Sequence, residues 1–267
     1  MNTAKQQDAD QRRLWLDESQ LRYHVDQFER PYRSTVHLGG FLAGLPLRGG
    51  EALDIACGAG SNIYHLSHVV PGFHWTGVDL AGDMLFPIAR ERFADANLDV
   101  TLVSADLFEL DRVLARQRFD LVISTQTLSW LPDHERALCQ ALRVTRGWLV
   151  MSSLFTELDV DTECLVYDHT TVPELPPYHM NVYSLNRMRA VCESHGCHEF
   201  RSEPFDIDID LPRPASGGLG TYTERTADGR RQLFAAQIRS RRQSRRSSIS
   251  LTRPSTIVTT VTWSPRR

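Results

Sequence analysis

Residues 53–62 read LDIACGAGSN, an apolar run that carries one aspartate, Asp54, and then breaks at Gly58 and Gly60. Apolar residues ending in a Gly-x-Gly turn are the mark of a strand feeding a helix, with glycine allowing a tight bend and close approach of a ligand. A phosphate, a dinucleotide or an adenosyl group all suit such a turn, and so does a purely structural role. The dinucleotide fingerprint asks for a third glycine three positions after the second. Ile63 stands there, and no Gly-Lys-Ser/Thr follows for a phosphate loop.

Outward from this turn, strand and helix signals alternate. Residues 52–56, 74–80, 99–105, 120–125 and 148–154 read as strands, with helices over 62–69, 83–93 and 135–144 between them. This alternation predicts an α/β, doubly wound and mostly parallel sheet of the seven-stranded type, helices covering both faces. A helix follows over 184–195, closed by Gly196, then a period-two strand FDIDIDL at 205–211 and a hairpin turn at 227–229. Leu14, Leu21, Val25 and Phe28 recur at helical spacing, so residues 1–48 are expected to form a helical N-terminal cap on a domain spanning 49–234.

In an open parallel sheet, ligands sit beyond the carboxyl ends of the strands. Asp79 closes the second strand, 19 residues after Gly60, where an acid accepts from ribose hydroxyls. Asp106 closes the third and suits an adenine amino group. Asp54 lies beneath the glycine turn, placed to fix the loop or meet an ammonium group. Three acids at successive strand ends repel a pyrophosphate and suit a cationic ligand carrying ribose and amino acid.

This set resembles the class I S-adenosylmethionine-dependent methyltransferases, a Rossmann-like family. The matching stretches are LDIACGAGSN, GVDL, SADLFEL, FDLVISTQTLSWLPD and ERALCQALRVTRGWLVMSSLF, which cover about residues 50–155. The resemblance implies S-adenosylmethionine as the cofactor, with Gly58 and Gly60 at its methionine end, Asp79 at the ribose and Asp106 with Leu107 at the adenine; Asp54, Ala56 and Leu80 complete the expected cofactor-binding set. It places Thr125 and Gln126 near the transferable methyl group. Arg33, from the cap, is a candidate to meet the cofactor carboxylate, against a surface salt bridge. Trp130 stands where many relatives have histidine, and Thr145-Arg146-Gly147 where many have Pro-Gly-Gly. The implied activity is methyl transfer to a small-molecule acceptor, with a sugar-containing one favoured by the likeness of NVYSLNRMRAV, FDIDIDLPRP and GTYTERTADGRR to enzymes of small molecules and glycoconjugates. Tyr23, His24, Tyr178, His179 and Tyr183 are candidates for a general base, each against a packing role.

Charge divides the chain. Residues 235–267 hold eight arginines and no acid, leaving 22 basic groups against all 33 acids in residues 1–234. The segment 235–267 is therefore expected to be a disordered basic tail, and the last core strand to be left short where QLFAAQI gives way to RSRRQSRRSS. STIVTTVTW, 255–263, is rich in β-branched residues and is the competing strand candidate. The tail carries a second functional reading, nucleic-acid binding or RNA methylation, against which the acidic body argues. A cofactor-binding but inactive relative is the third. Five scattered cysteines, no apolar leader and no membrane-length apolar run point to the cytoplasm. CESHGCH, 192–198, lacks a second ligand pair, so no metal site is expected.

Overall fold

The computed structural model describes residues 18–115, 117–167 and 177–205, and the strands 222–225, 231–234, 237–238, 247–248 and 255–263. Two helices, α1 (Glu18–Glu29) and α2 (Arg33–Ala43), precede the sheet. Then follow β1 (Gly50–Ile55), α3 (Ser61–Val69), β2 (Phe73–Asp79), α4 (Gly82–Asp95) and β3 (Val100–Ser104). A short 3-10 turn at Leu107–Glu109 leads into α5 (Leu110–Val113), β4 (Phe119–Thr125), α6 (His134–Val144) and β5 (Thr145–Thr156). Beyond them lie β6 (Leu165–Val166), β7 (Tyr178–His179), β8 (Tyr183–Ser184), α7 (Leu185–Ser194) and β9 (Cys197–Phe205). Pairs β10 (Tyr222–Arg225) with β11 (Arg231–Phe234), and β12 (Gln237–Ile238) with β13 (Ser247–Ser248), precede β14 (Ser255–Trp263).

The main sheet runs β3-β2-β1-β4-β5-β14-β9, with β8 pairing the end of β5. Strands β1 to β5 are mutually parallel, and β14 runs antiparallel to both of its neighbours. The order reverses between β1 and β4, which opens a crevice at their carboxyl ends. Period two sorts the apolar strand residues to two faces. Leu53, Ile55, Val122, Leu149 and Met151 face one core with Ala137, Leu138 and Ala141 of α6. Ala52, Leu121, Ile123 and Val150 face the other with Ile63, Leu66, Phe86 and Phe93. Burial on both faces is why these strands read as continuous apolar runs.

Phe28, Leu38 and Leu42 of the N-terminal helices belong to that second core, so the cap shares the sheet's interior. Leu14 lies outside the described residues. The largest departure from the sequence reading is at the C-terminal end. Ser255–Trp263, assigned above to a disordered tail, pairs with β5 from Ser255↔Phe155 to Thr262↔Trp148 and with β9 on its other side. The slot beside β5 is thus filled, which runs against both a short last strand and a boundary at 234. The reason is non-local: a β-branched segment completes ladders with residues 51 to 114 positions away, and the arginine run before it hides that propensity. Strand β9 ends at Phe205, and residues 206–211 of the strand expected at 205–211 lie outside the described residues. Strands β10 and β11 flank the expected turn at 227–229, itself outside the described residues.

Candidate active site

The chain leaves β1 in a conformation that few residues adopt: Ala56, Gly58 and Gly60 have φ of 58°, 57° and 85°. At Gly58 a side chain would meet His24 Cε1 at 2.9 Å, and at Gly60 it would meet Phe93 Cζ at 2.6 Å. Glycine is required at both positions by conformation and by space. The Gly58 N–H donates to Asp79 Oδ2 at 2.8 Å and the Ala81 N–H to Oδ1 at 2.8 Å. Asp79 therefore holds the turn after β1 against the end of β2. Asp106 Oδ1 accepts from the Phe108 N–H at 2.8 Å, capping the 3-10 turn after β3.

The end of β4 is fixed from the N-terminal side. Thr35 Oγ1 donates to Asn62 Oδ1 at 2.8 Å, and Asn62 Nδ2 donates to Thr125 Oγ1 at 2.7 Å, linking α2, α3 and β4. Gln126, with φ of 57°, turns the chain sharply there and donates its N–H to the Ser152 carbonyl.

These strand ends surround one cavity of about 760 Å3. Its sheet side is formed by Ala56, Gly58, Asp79, Leu80, Asp106, Leu107 and Thr125, and its roof by Tyr23, His24 and Arg33. His179 stands on the far wall with Trp130 and Tyr178, whose rings lie 5.2 Å apart. The structure thus gathers most of the sequence-predicted residues. Three do not line the cavity. Gly60 starts α3 beneath Phe93, and Asp54 is fully buried under the turn. Tyr183 is also fully buried: its hydroxyl accepts from Asn181 Nδ2 and donates to the Leu131 carbonyl at 3.0 Å, and its ring stacks on His134. Burial pushes its phenol up to about 12, so Tyr183 is a pin for the loop after β4 and not a base.

Burial sets the electrostatics of the others. Both Asp54 oxygens lack a hydrogen-bond partner, and desolvation, followed by the Asp79 charge, holds the carboxyl well above the usual range. Desolvation pulls the His24 imidazole down to about 4, which leaves it neutral and a weak base. Burial, then Tyr32, raises the Tyr23 phenol. Gln27, Tyr32, Thr35, Asn62, Phe108 and Phe205 also line the cavity and were not picked out from sequence. Of these only Asn62, a polar residue in the first helical turn after the glycines, left a local signal. Among the described residues no cluster of three or more His, Cys, Asp or Glu is placed to hold a metal, and no helix is long and apolar enough to cross a membrane.

The fold and the site define an α/β domain that offers two acids and a glycine turn to one ligand. Residues 52–147 match the family described as methyltransferase domain. The stretch is a methyltransferase domain of the class I S-adenosylmethionine-dependent type. Over 151 residues the chain is 28% identical to malonyl-[acyl-carrier protein] O-methyltransferase of Acetivibrio thermocellus, covering 54% of this chain and 51% of that protein. Over 94 residues it is 35% identical to trans-aconitate 2-methyltransferase of Escherichia fergusonii, 35% of this chain and 34% of that one. The chain spans about half the length, or less, of these curated relatives. Among solved structures the glycopeptide N-methyltransferase MtfA, complexed with S-adenosyl-L-methionine, superposes with a TM-score of 0.53 at 16% identity, over 88% of this chain and 96% of that one, which is a likeness of fold.

Proposed function

We propose that the protein transfers a methyl group from S-adenosylmethionine to a small-molecule acceptor. The observation that carries this reading is the convergence of the glycine turn, Asp79, Asp106 and Thr125 on one cavity at the carboxyl ends of β1 to β4. The residues fit the cofactor. Asp79, at the end of β2, is placed to accept from ribose hydroxyls, and Asp106, whose Oδ1 takes the Phe108 N–H, to accept from the adenine amino group. Leu80 and Leu107, which line the cavity, would flank the nucleoside, and Arg33 is a basic side chain of the same lining. When bound, the sulfonium supplies the electrophilic methyl group.

The protein's own contribution is then positioning. An in-line displacement needs the acceptor held behind the methyl group with water excluded, and orientation alone supplies much of the acceleration. Trp130, Tyr178 and Phe205 give the far wall broad apolar faces that suit an acceptor with one apolar and one polar side, such as a sugar-bearing molecule. His179 and Tyr178 remain candidate bases, since His24 is too weakly basic, burial raises the Tyr23 phenol and Tyr183 is out of reach.

Calorimetric titration with S-adenosylhomocysteine, S-adenosylmethionine and NAD tests the reading. Saturable binding of the two sulfur ligands and none of NAD is expected. The reverse pattern would sink it.

A further inference from the structure

Resting on that reading, we propose that His24 is a cofactor-positioning residue whose imidazole hydrogen-bonds the carboxylate at the amino-acid end of the cofactor. His24 is 8% exposed and lines the cavity. Its Nε2 is shielded from water and has no hydrogen-bond partner among the described residues. The other buried side-chain atoms in that condition, among the described residues, belong to His37, Asp54, Trp75 and Ser152, none of which lines the cavity. A buried nitrogen without a partner is costly, and a ligand that satisfies it recovers that cost on binding.

Position selects the part of the ligand. The Nδ1–Cε1 edge of the ring lies against Gly58, with Cε1 2.9 Å and Nδ1 3.1 Å from where a Cβ would stand. A half-turn of the ring about its bond to Cβ brings Nε2 to the place of Cε1, on that same edge. The group crossing the glycine turn is the amino-acid end, because Asp79 and Asp106 lie at the next strand ends and take the nucleoside. Charge separates its two ionic groups. The Asp79 carboxylate lies on the sheet side of the turn, bonded to the Gly58 N–H, and attracts the ammonium. The carboxylate is then turned toward the roof, where a neutral imidazole N–H donates and Arg33 lies four residues past the end of α1. The same placement removes His24 from the role of base, because its free nitrogen serves the cofactor and not the acceptor.

The test is calorimetry on the full chain, wild type and His24→Ala, with three ligands. They are S-adenosylhomocysteine, its decarboxylated analogue that keeps the amine, and 5′-methylthioadenosine, which lacks the amino-acid end. Wild-type binding of S-adenosylhomocysteine checks the underlying reading, and its absence would be a failure of that reading alone. Given that binding, His24→Ala is expected to weaken S-adenosylhomocysteine roughly ten- to a hundredfold while leaving the other two ligands within about twofold. His24→Gln, which retains a side-chain N–H donor, is expected to recover part of the loss. In the wild type the His24 Cε1 proton resonance is expected to shift with S-adenosylhomocysteine and not with the decarboxylated analogue, a readout that needs no variant to fold. An equal loss for all three ligands, a loss that persists with the decarboxylated analogue, or no loss at all overturns the assignment.

Discussion

The backbone N–H of Gly58 donates to Asp79 Oδ2 across 2.8 Å, so the acid proposed to hold a ribose also holds the turn proposed to receive the methionine end. Binding and loop geometry are coupled through one carboxylate. Asp79→Ala removes the acceptor for two backbone N–H groups, those of Gly58 and Ala81, as well as for the ligand. Each hydrogen bond to a charged acceptor is worth about 1.5–3 kcal/mol, and bonds sharing one carboxylate do not add. The expected result is a lowered melting temperature without ligand and a loss of S-adenosylhomocysteine affinity of tenfold or more. Asp79→Asn, which keeps one acceptor oxygen, should fall between. Unchanged affinity in a folded variant would leave Asp79 a purely structural role.

Asp54 makes stability depend on pH. Its folded carboxyl sits well above the ordinary 3.8 through burial and the Asp79 charge. Folding therefore favours its protonated form, and this stabilisation is complete below pH 3.8 and lost as pH rises from there to the folded pKa. Asp54→Asn, of nearly the same shape, removes this dependence. The stability of the variant relative to wild type should rise with pH over that window by about 1.4 kcal/mol per pH unit. Urea midpoints measured from pH 4 upward check it. A constant difference across the range would refute the shift.

Asn62 joins two hydroxyls that otherwise have different addresses, Thr35 on α2 and Thr125 at the end of β4. Asn62→Ala leaves both hydroxyls to find other partners and is expected to cost about 1–3 kcal/mol. Because the network steadies the β4 end of the cavity, cofactor affinity should fall with it. Denaturant unfolding and calorimetry on the same preparation report both effects. A loss of stability with intact affinity would confine Asn62 to the scaffold.

Strand β14 is the remaining test of the architecture. Val258 pairs with Ser152 on one side and Glu203 on the other, so it lies inside the sheet and not at an edge. Proline in a central strand removes a ladder hydrogen bond and is seldom tolerated there. Val258→Pro in the full chain, and a chain ending at Phe234, should each lower the melting temperature and promote aggregation through the uncovered edge of β5. If the shortened chain stays soluble and binds S-adenosylhomocysteine undiminished, residues after 234 are an appendage after all. Nucleic-acid binding that disappears with them and weakens steeply with salt would favour the second functional reading.

The features legible in the chain itself are local and periodic. Apolar runs such as 52–56 and 120–125, the glycines that permit positive φ, and an acid closing each of β2 and β3 are all fixed within a few residues of one another, so the alternating fold and the sheet side of the cavity were legible at Asp79, Asp106 and Gly58. Tertiary structure decided whatever depends on residues distant in the chain. Tyr23, Tyr178 and Tyr183 are alike as sequence, yet burial and the Asn181–Leu131 contacts withdraw only Tyr183 from the cavity. Asn62 gained its role from Thr35 and Thr125, 27 and 63 residues away. Ser255–Trp263 found its place only because β5 and β9 leave a gap between them, and desolvation, which lowers His24 and raises Asp54, exists only once the core has closed around them.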